Sequence, residues 1–193
     1  MKPKILIIVG STREGRQGAQ VARWLMQQLA EFDDAAFELV DLRDFVLPFI
    51  GSGQPPGLDG FAGAVEHWAA HVASADGFII VTPEYNHGYP AALKNAIDHL
   101  RDEWRRKPVA FVSYGGHAAG YRATDQLRSV VVELQMMPIR EQIGIQFPWT
   151  TFDEKGELQQ DGAHAAVARM VDDLLWWTLV LKQARLADLA LAS

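Results

Sequence analysis

Three short segments of this 193-residue chain carry residue types suited to holding a ligand. In the first, Gly10-Ser11-Thr12-Arg13-Glu14-Gly15-Arg16-Gln17-Gly18-Ala19 sets hydroxyls, glycines and two arginines directly ahead of a stretch with helical period. Backbone N–H groups at a helix start, with the dipole behind them, suit a phosphate, and Ser11, Thr12, Arg13 and Arg16 would add charge-assisted bonds. No Gly-Lys-Ser/Thr follows and the G-x-G-x-x-G spacing is absent, so neither common nucleotide fingerprint applies. The competing reading is a capped turn with solvated arginines. The second segment, Thr82-Pro83-Glu84-Tyr85-Asn86-His87-Gly88-Tyr89-Pro90, packs aromatics, prolines and a glycine into one stiff loop. It suits the edge of a flat heteroaromatic ring, with side chains to stack and amides for heteroatoms. In the third, Ser113-Tyr114-Gly115-Gly116-His117, the paired glycines let backbone approach a ligand and supply further donors.

Other chemistry weakens on inspection. His67 and His71 stand at i, i+4, but the H-E-x-x-H order is absent and no third ligand is in view, so they read as surface histidines and no metal site is expected. His117 is a reactive-loop or a solvated histidine with equal justification. The run Arg101-Asp102-Glu103-Trp104-Arg105-Arg106-Lys107 reads as basic residues offsetting the dipole at a helix C-terminus, rather than as a dinucleotide contact. Trp176-Trp177 reads as packing or a subunit interface.

These loops need elements to position them. Continuous apolar runs at residues 5–9, 78–81 and 109–112 are what strands covered on both faces of a parallel sheet require. The alternating runs 37–42 and 143–147 read as strands nearer the edges. Between them lie helical stripes: Ala22, Leu25, Met26, Leu29; then Phe61, Val65, Trp68, Ala69, Val72; then Leu93, Ala96, Ile97, Leu100; then Leu127, Val130, Val131, Leu134. A last helix is expected over about 162–190, with Val167, Val171, Leu174, Leu175, Thr178 and Leu181 inward. The Gly- and Pro-rich stretch 48–60 reads as a connection between the second strand and second helix. The alternation predicts an α/β fold, a flavodoxin-like three-layer sandwich forming one domain over 1–193. Its five-stranded parallel sheet takes the order 2-1-3-4-5 with helices on both faces. In such a sheet ligands bind outside the carboxyl ends of strands 1, 3 and 4, where the three loops lie. One phosphate site and two ring-lining segments match a phosphorylated flavin.

Composition narrows the classes. Zero cysteines exclude disulfides, thiolate zinc and cysteine nucleophiles, so redox work would need a bound organic cofactor or an N/O-ligated metal. A balance of 24 acidic against 18 basic residues, net −6, argues against nucleic acid and anionic membrane as partners. The apolar run at 5–9 is too short for a secretory core, and charges interrupt the last helix, so a soluble, cytoplasmic protein is expected.

At the three loops the sequence resembles the NAD(P)H-dependent FMN reductase family, flavodoxin-like quinone and chromate reductases included. The matching motifs are Gly10 to Arg13 with Arg16 and Gly18, Thr82-Pro83-Glu84-Tyr85-Asn86 through Pro90 to Asp98, and Ser113 to Gly116, within roughly 4–145. The resemblance implies an FMN phosphate held by Ser11, Arg13, Arg16 and the helix start Gly18-Ala19-Gln20. It implies an isoalloxazine bordered by Pro83, Glu84, Tyr85 and Asn86 on one side and by Ser113, Gly115 and Gly116 on the other. It further implies hydride transfer from NADPH or NADH through FMN to a quinone-like small acceptor, and a homodimer or homotetramer joined at the helix after the second loop. No protein acid, base or nucleophile is required, so no catalytic residue is assigned. The other class weighed is an FMN-binding electron carrier or redox-sensing module acting on a protein partner. A response regulator or phosphatase lacks its acidic pair and its cysteine.

Overall fold

The computed structural model describes residues 2–50 and 61–192. The elements run β1 (Lys4–Val9), α1 (Gly18–Leu29), β2 (Ala36–Asp41), α2 (Phe61–Ser74), β3 (Gly77–Pro83), α3 (Ala91–Asp98), β4 (Pro108–Gly115), α4 (Tyr121–Glu133), β5 (Met137–Gln146), α5 (Pro148–Thr151) and α6 (Ala163–Ala192). One sheet holds all five strands in the order β2-β1-β3-β4-β5, every pair parallel. The expected topology is the observed one.

The pleat explains why the central strands are apolar without alternation. Ile5, Ile7, Val9, Ile79, Val81, Ala110 and Val112 face Val21, Trp24 and Leu25 of α1 and Val167, Met170, Val171 and Leu174 of α6. Their neighbours Leu6, Ile8, Phe78, Ile80, Val109 and Phe111 face Trp68 and Val72 of α2, Leu93 and Ile97 of α3, and Leu127 and Val131 of α4. Successive side chains point to opposite faces, and both faces are covered, so every position must be apolar. The connection after β1 crosses to one face and that after β3 to the other. The crevice between their carboxyl ends is the switch point at which ligands bind in such sheets.

Several boundaries differ from expectation, each for a local reason. β5 begins at Met137, well before 143, because an edge strand tolerates Pro138 and the charges of Arg140 and Glu141. Arg128 of α4 further holds that edge, donating to the Ile139 carbonyl at 2.8 Å. Phe147 leaves the strand by turning left-handed at φ 46°, which starts the short α5. β2 stops at Asp41 because the Asp41 carboxylate accepts the Arg43 amide at 2.9 Å and caps a 3₁₀ turn over Leu42–Asp44. Residues 51–60, most of the Gly- and Pro-rich connection, lie outside the described residues.

The basic run 101–107 offsets a helix dipole, but that of α2 rather than its own. Lys107 Nζ donates to the carbonyls of Val72 at 2.8 Å and Ala73 at 3.0 Å. Burial, reinforced by Arg185, lowers the Lys107 pKa to about 8. The run precedes β4, so it sits at the sheet edge opposite the ligand loops and is not positioned to meet a nicotinamide cofactor there. His67 and His71 stack edge-on at 4.6 Å, and among the described residues no cluster of three metal-ligating side chains occurs. No described helix is long and apolar enough to cross a membrane.

Candidate functional site

A cavity of about 520 Å³ opens at the carboxyl edge of the sheet, within the size range of small-molecule sites. The β1–α1 loop contributes Arg13, Glu14, Gly15, Arg16 and Gln17. The loop after β3 contributes Pro83, Glu84 and Tyr85; the end of β4 adds Tyr114, Gly115 and Gly116; α5 adds Trp149. Seven of the expected residues (Arg13, Arg16, Pro83, Glu84, Tyr85, Gly115 and Gly116) therefore share one wall. Ser11, Gly18, Ala19, Gln20, Asn86 and Ser113 stand behind or beside it.

The floor under the α1 start is a closed network. Ser11 is fully buried, and its hydroxyl lies 3.1 Å from the Tyr114 hydroxyl, which also receives the Gly18 amide. Burial raises the Tyr114 phenol above its ordinary range, only partly offset by the Ser11 bond, so it stays neutral. A Cβ at position 18 would sit 2.6 Å from the Tyr114 hydroxyl, which is why glycine stands there. The Gln20 amide is used by the Gln17 carbonyl at 3.0 Å. The Ala19 amide precedes the helix's own ladder, as first-turn amides must.

The two arginines divide. Arg16 donates from Nη1 to Asp41 Oδ1 at 2.6 Å and from the same nitrogen to the Ser11 carbonyl, while Nη2 pairs with Asp41 Oδ2. Its side chain is only 6% exposed, against 24% for Asp41. The guanidinium thus binds β2 to the loop. Arg13 stays exposed, its guanidinium 5.9 Å from the Tyr85 ring centroid, and is the cation turned to the cavity mouth. Glu14 lines the same mouth and opposes an anion there.

The loops after β3 and β4 are tied by backbone hydrogen bonds. Tyr85 and Gly88 exchange both backbone hydrogen bonds, at 2.8 and 3.0 Å, around Asn86 and His87 at φ 49° and 69°. That places Asn86 at the exposed tip of a tight turn, outside the cavity wall. The Glu84 amide donates to the Tyr114 carbonyl at 3.1 Å, joining the two ring loops. Its carboxylate accepts Arg122 Nε at 2.6 Å and is 7% exposed, and its second oxygen, Oε2, is buried without a partner among the described residues. Ser113 faces away from the cavity: its hydroxyl donates to the Ala119 carbonyl at 2.8 Å and pins the turn that ends in left-handed Gly120. His117 is exposed and rests edge-on to Phe147 at 5.0 Å.

The donor set fits a phosphorylated, ring-bearing cofactor. One end carries a helix start and a free-standing arginine; the other carries paired glycines, Tyr85 and Trp149, with a buried carboxylate oxygen left to accept a hydrogen bond. Sequence reasoning missed Tyr114, Trp149, Asp41 and Arg122. Tyr114 lay inside the third loop but was given no role of its own. Trp149 follows strand 5, whose carboxyl end was not searched. Asp41 and Arg122 act through tertiary pairing and left no local signal.

Residues 3–150 match the family model described as NADPH-dependent FMN reductase. An NAD(P)H-dependent FMN reductase of Schizosaccharomyces pombe is 44% identical over 139 residues, 69% of this chain and 68% of that protein. One from Saccharomyces cerevisiae is 37% identical over 145 residues, 69% of this chain and 75% of its own. Among solved structures, FerB, an NAD(P)H:acceptor oxidoreductase from Paracoccus denitrificans, superposes with a TM-score of 0.73 at 21% identity, covering 91% of this chain and 97% of FerB.

Proposed function

The chain belongs to the NADPH-dependent FMN reductase family, and from that premise we propose that it reduces quinone-like planar acceptors with NAD(P)H at the cavity described above. It is an NAD(P)H-dependent FMN reductase; the acceptor class, the roles of individual residues, the assembly and a cytoplasmic setting are our assignments. The balanced reaction takes NAD(P)H, a proton and a quinone to NAD(P)⁺ and a hydroquinone. FMN, when bound, would supply the two-electron redox chemistry between the two substrates.

The chain's own residues bind and orient. Arg13 and the Ala19 amide would hold the phosphate, and the Ser11–Tyr114–Gly18 network would keep that helix start in place. Arg16 serves indirectly, by holding Asp41 and the Ser11 carbonyl. The Gly116 amide would supply a preorganised donor to the ring. The observation that carries the reading is one cavity with the arginine-bearing loop into α1 at one end and aromatic side chains beside paired glycines at the other. NAD(P)H as reductant supports a cytoplasmic setting. Exposed Val46, Phe49 and Ile50, in a loop bonded to Asn95 of α3, support homo-oligomer formation at that face.

The test is direct. The purified protein should show flavin absorbance and oxidise NADPH or NADH in the presence of a quinone. FMN bound without turnover would transfer the reading to an electron carrier or redox-sensing module.

A further inference from the structure

Resting on the acceptor reading above, we propose that Trp149 is the specificity-determining residue for the oxidant: its ring forms the outer wall against which a planar aromatic acceptor stacks. Trp149 is 58% exposed yet lines the cavity, whereas the inner wall residues Pro83 and Tyr114 are buried. A large aromatic on the open rim meets what arrives last, not what is seated deepest.

Its placement is built rather than incidental. Phe147 takes φ 46°, ψ 56°, a conformation that costs a side-chain-bearing residue energy and persists only where its surroundings impose it. Here they do. The Phe147 amide donates to the Gly115 carbonyl at 2.7 Å, which ties the segment to the loop whose glycines face the ring site. The amides of Thr150 and Thr151 return to the Phe147 carbonyl at 2.9 and 3.0 Å, and the Thr151 hydroxyl donates to the Gln146 carbonyl at 2.6 Å. Pro148 fixes the first turn of α5. The Phe147 ring buttresses Trp149 at 5.6 Å and 77°, and His117 in turn packs edge-on to Phe147 at 5.0 Å and 89°. Three rings in edge contact make a wall whose outer member, Trp149, is exposed and lines the cavity. Such a ring selects planar, electron-poor rings over compact hydrated anions, since stacking needs a π-surface and the anion offers none.

The test compares wild type, Trp149→Ala and Trp149→Phe, all FMN-loaded, with menadione as the planar probe and ferricyanide as the non-planar one. Calorimetric titration of menadione into the oxidised proteins should give a Kd about tenfold weaker for Trp149→Ala, equivalent to about 1.4 kcal/mol. Trp149→Phe should recover most of that loss. The ratio of kcat/KM for menadione to that for ferricyanide should fall by about the same factor in the Ala variant. FMN affinity should change much less than menadione affinity. An unchanged menadione Kd, an unchanged ratio, or a loss of FMN as large as the loss of menadione would each overturn the proposal. If wild type binds FMN but oxidises no NAD(P)H with either acceptor, the acceptor reading fails, and the menadione titration still decides whether Trp149 is a stacking wall.

Discussion

Replacing Arg13 and Arg16 by alanine, one at a time, separates a ligand-binding cation from a structural one. Arg16→Ala removes every guanidinium contact of Asp41 and leaves that carboxylate only the Arg43 amide at 2.9 Å. Truncating one partner of a buried pair costs about 3–5 kcal/mol. Asp41 is 24% exposed, so water recovers part of its solvation and the expected loss is about 2–3 kcal/mol. For a chain of this length each kcal/mol moves the melting temperature about 2–4 °C, so a drop of about 5–10 °C follows. Arg13 is exposed, and its truncation should stay within about 0.5 kcal/mol of wild type. FMN affinity should respond in the opposite order. Loss of one exposed charge-assisted bond, about 1.5 kcal/mol, weakens FMN about tenfold in Arg13→Ala. The assay is thermal unfolding with FMN stripped, because bound ligand adds stability by mass action, paired with an FMN titration followed by flavin fluorescence. An Arg16→Ala protein as stable as wild type that loses FMN as severely as Arg13→Ala would refute the division, and would mean that Arg16 leaves Asp41 to bind the phosphate.

Three further outcomes are expected. Tyr114→Phe strands the Ser11 hydroxyl and the Gly18 amide under the α1 start, so it should cost about 1–2 kcal/mol in denaturant unfolding and weaken FMN binding as well. Gly120→Ala, at φ 85° with its Cβ 2.7 Å from Ser113 Cβ and 2.8 Å from the Tyr114 nitrogen, should cost about 3 kcal/mol; Gly15→Ala, at φ 68° with nothing within 4 Å, should cost about 1 kcal/mol. Between about pH 8 and 10.5 the folded Lys107 binds fewer protons than the unfolded one, so stability rises with pH across that window and is flat below it. Denaturant midpoints of wild type should therefore gain on those of Lys107→Met between pH 8 and pH 10, and parallel curves would disprove the burial penalty.

The central sheet was legible because its physics is local. Residues 5–9, 78–81 and 109–112 must be apolar on both faces in any parallel sheet, and loops following such runs fall at the ligand edge by topology. β5 was half-hidden because Pro138, Arg140 and Glu141 are tolerated only where a strand has one free edge. That property belongs to the assembled sheet. The site shows the same division. Pro83, Glu84, Tyr85, Gly115 and Gly116 were readable from loop chemistry and line the cavity. Ser11, Gly18 and Ser113 were readable as well, yet their polar groups are spent on Tyr114 and the Ala119 carbonyl.

By itself the sequence determined the sheet order, the edge at which the candidate cavity opens and the family, since periodicity and short motifs travel with local chain geometry. What each polar group does there was decided by tertiary pairing. Arg13 and Arg16 are equivalent as letters in one loop. The register that sets Val9 beside Asp41 brings a carboxylate within reach of Arg16 alone. The end of β5 likewise carries Trp149 to the rim through a bond between Phe147 and Gly115, residues distant in sequence. A hydrogen bond or ion pair depends on distances between chain segments, and only the folded sheet sets those distances.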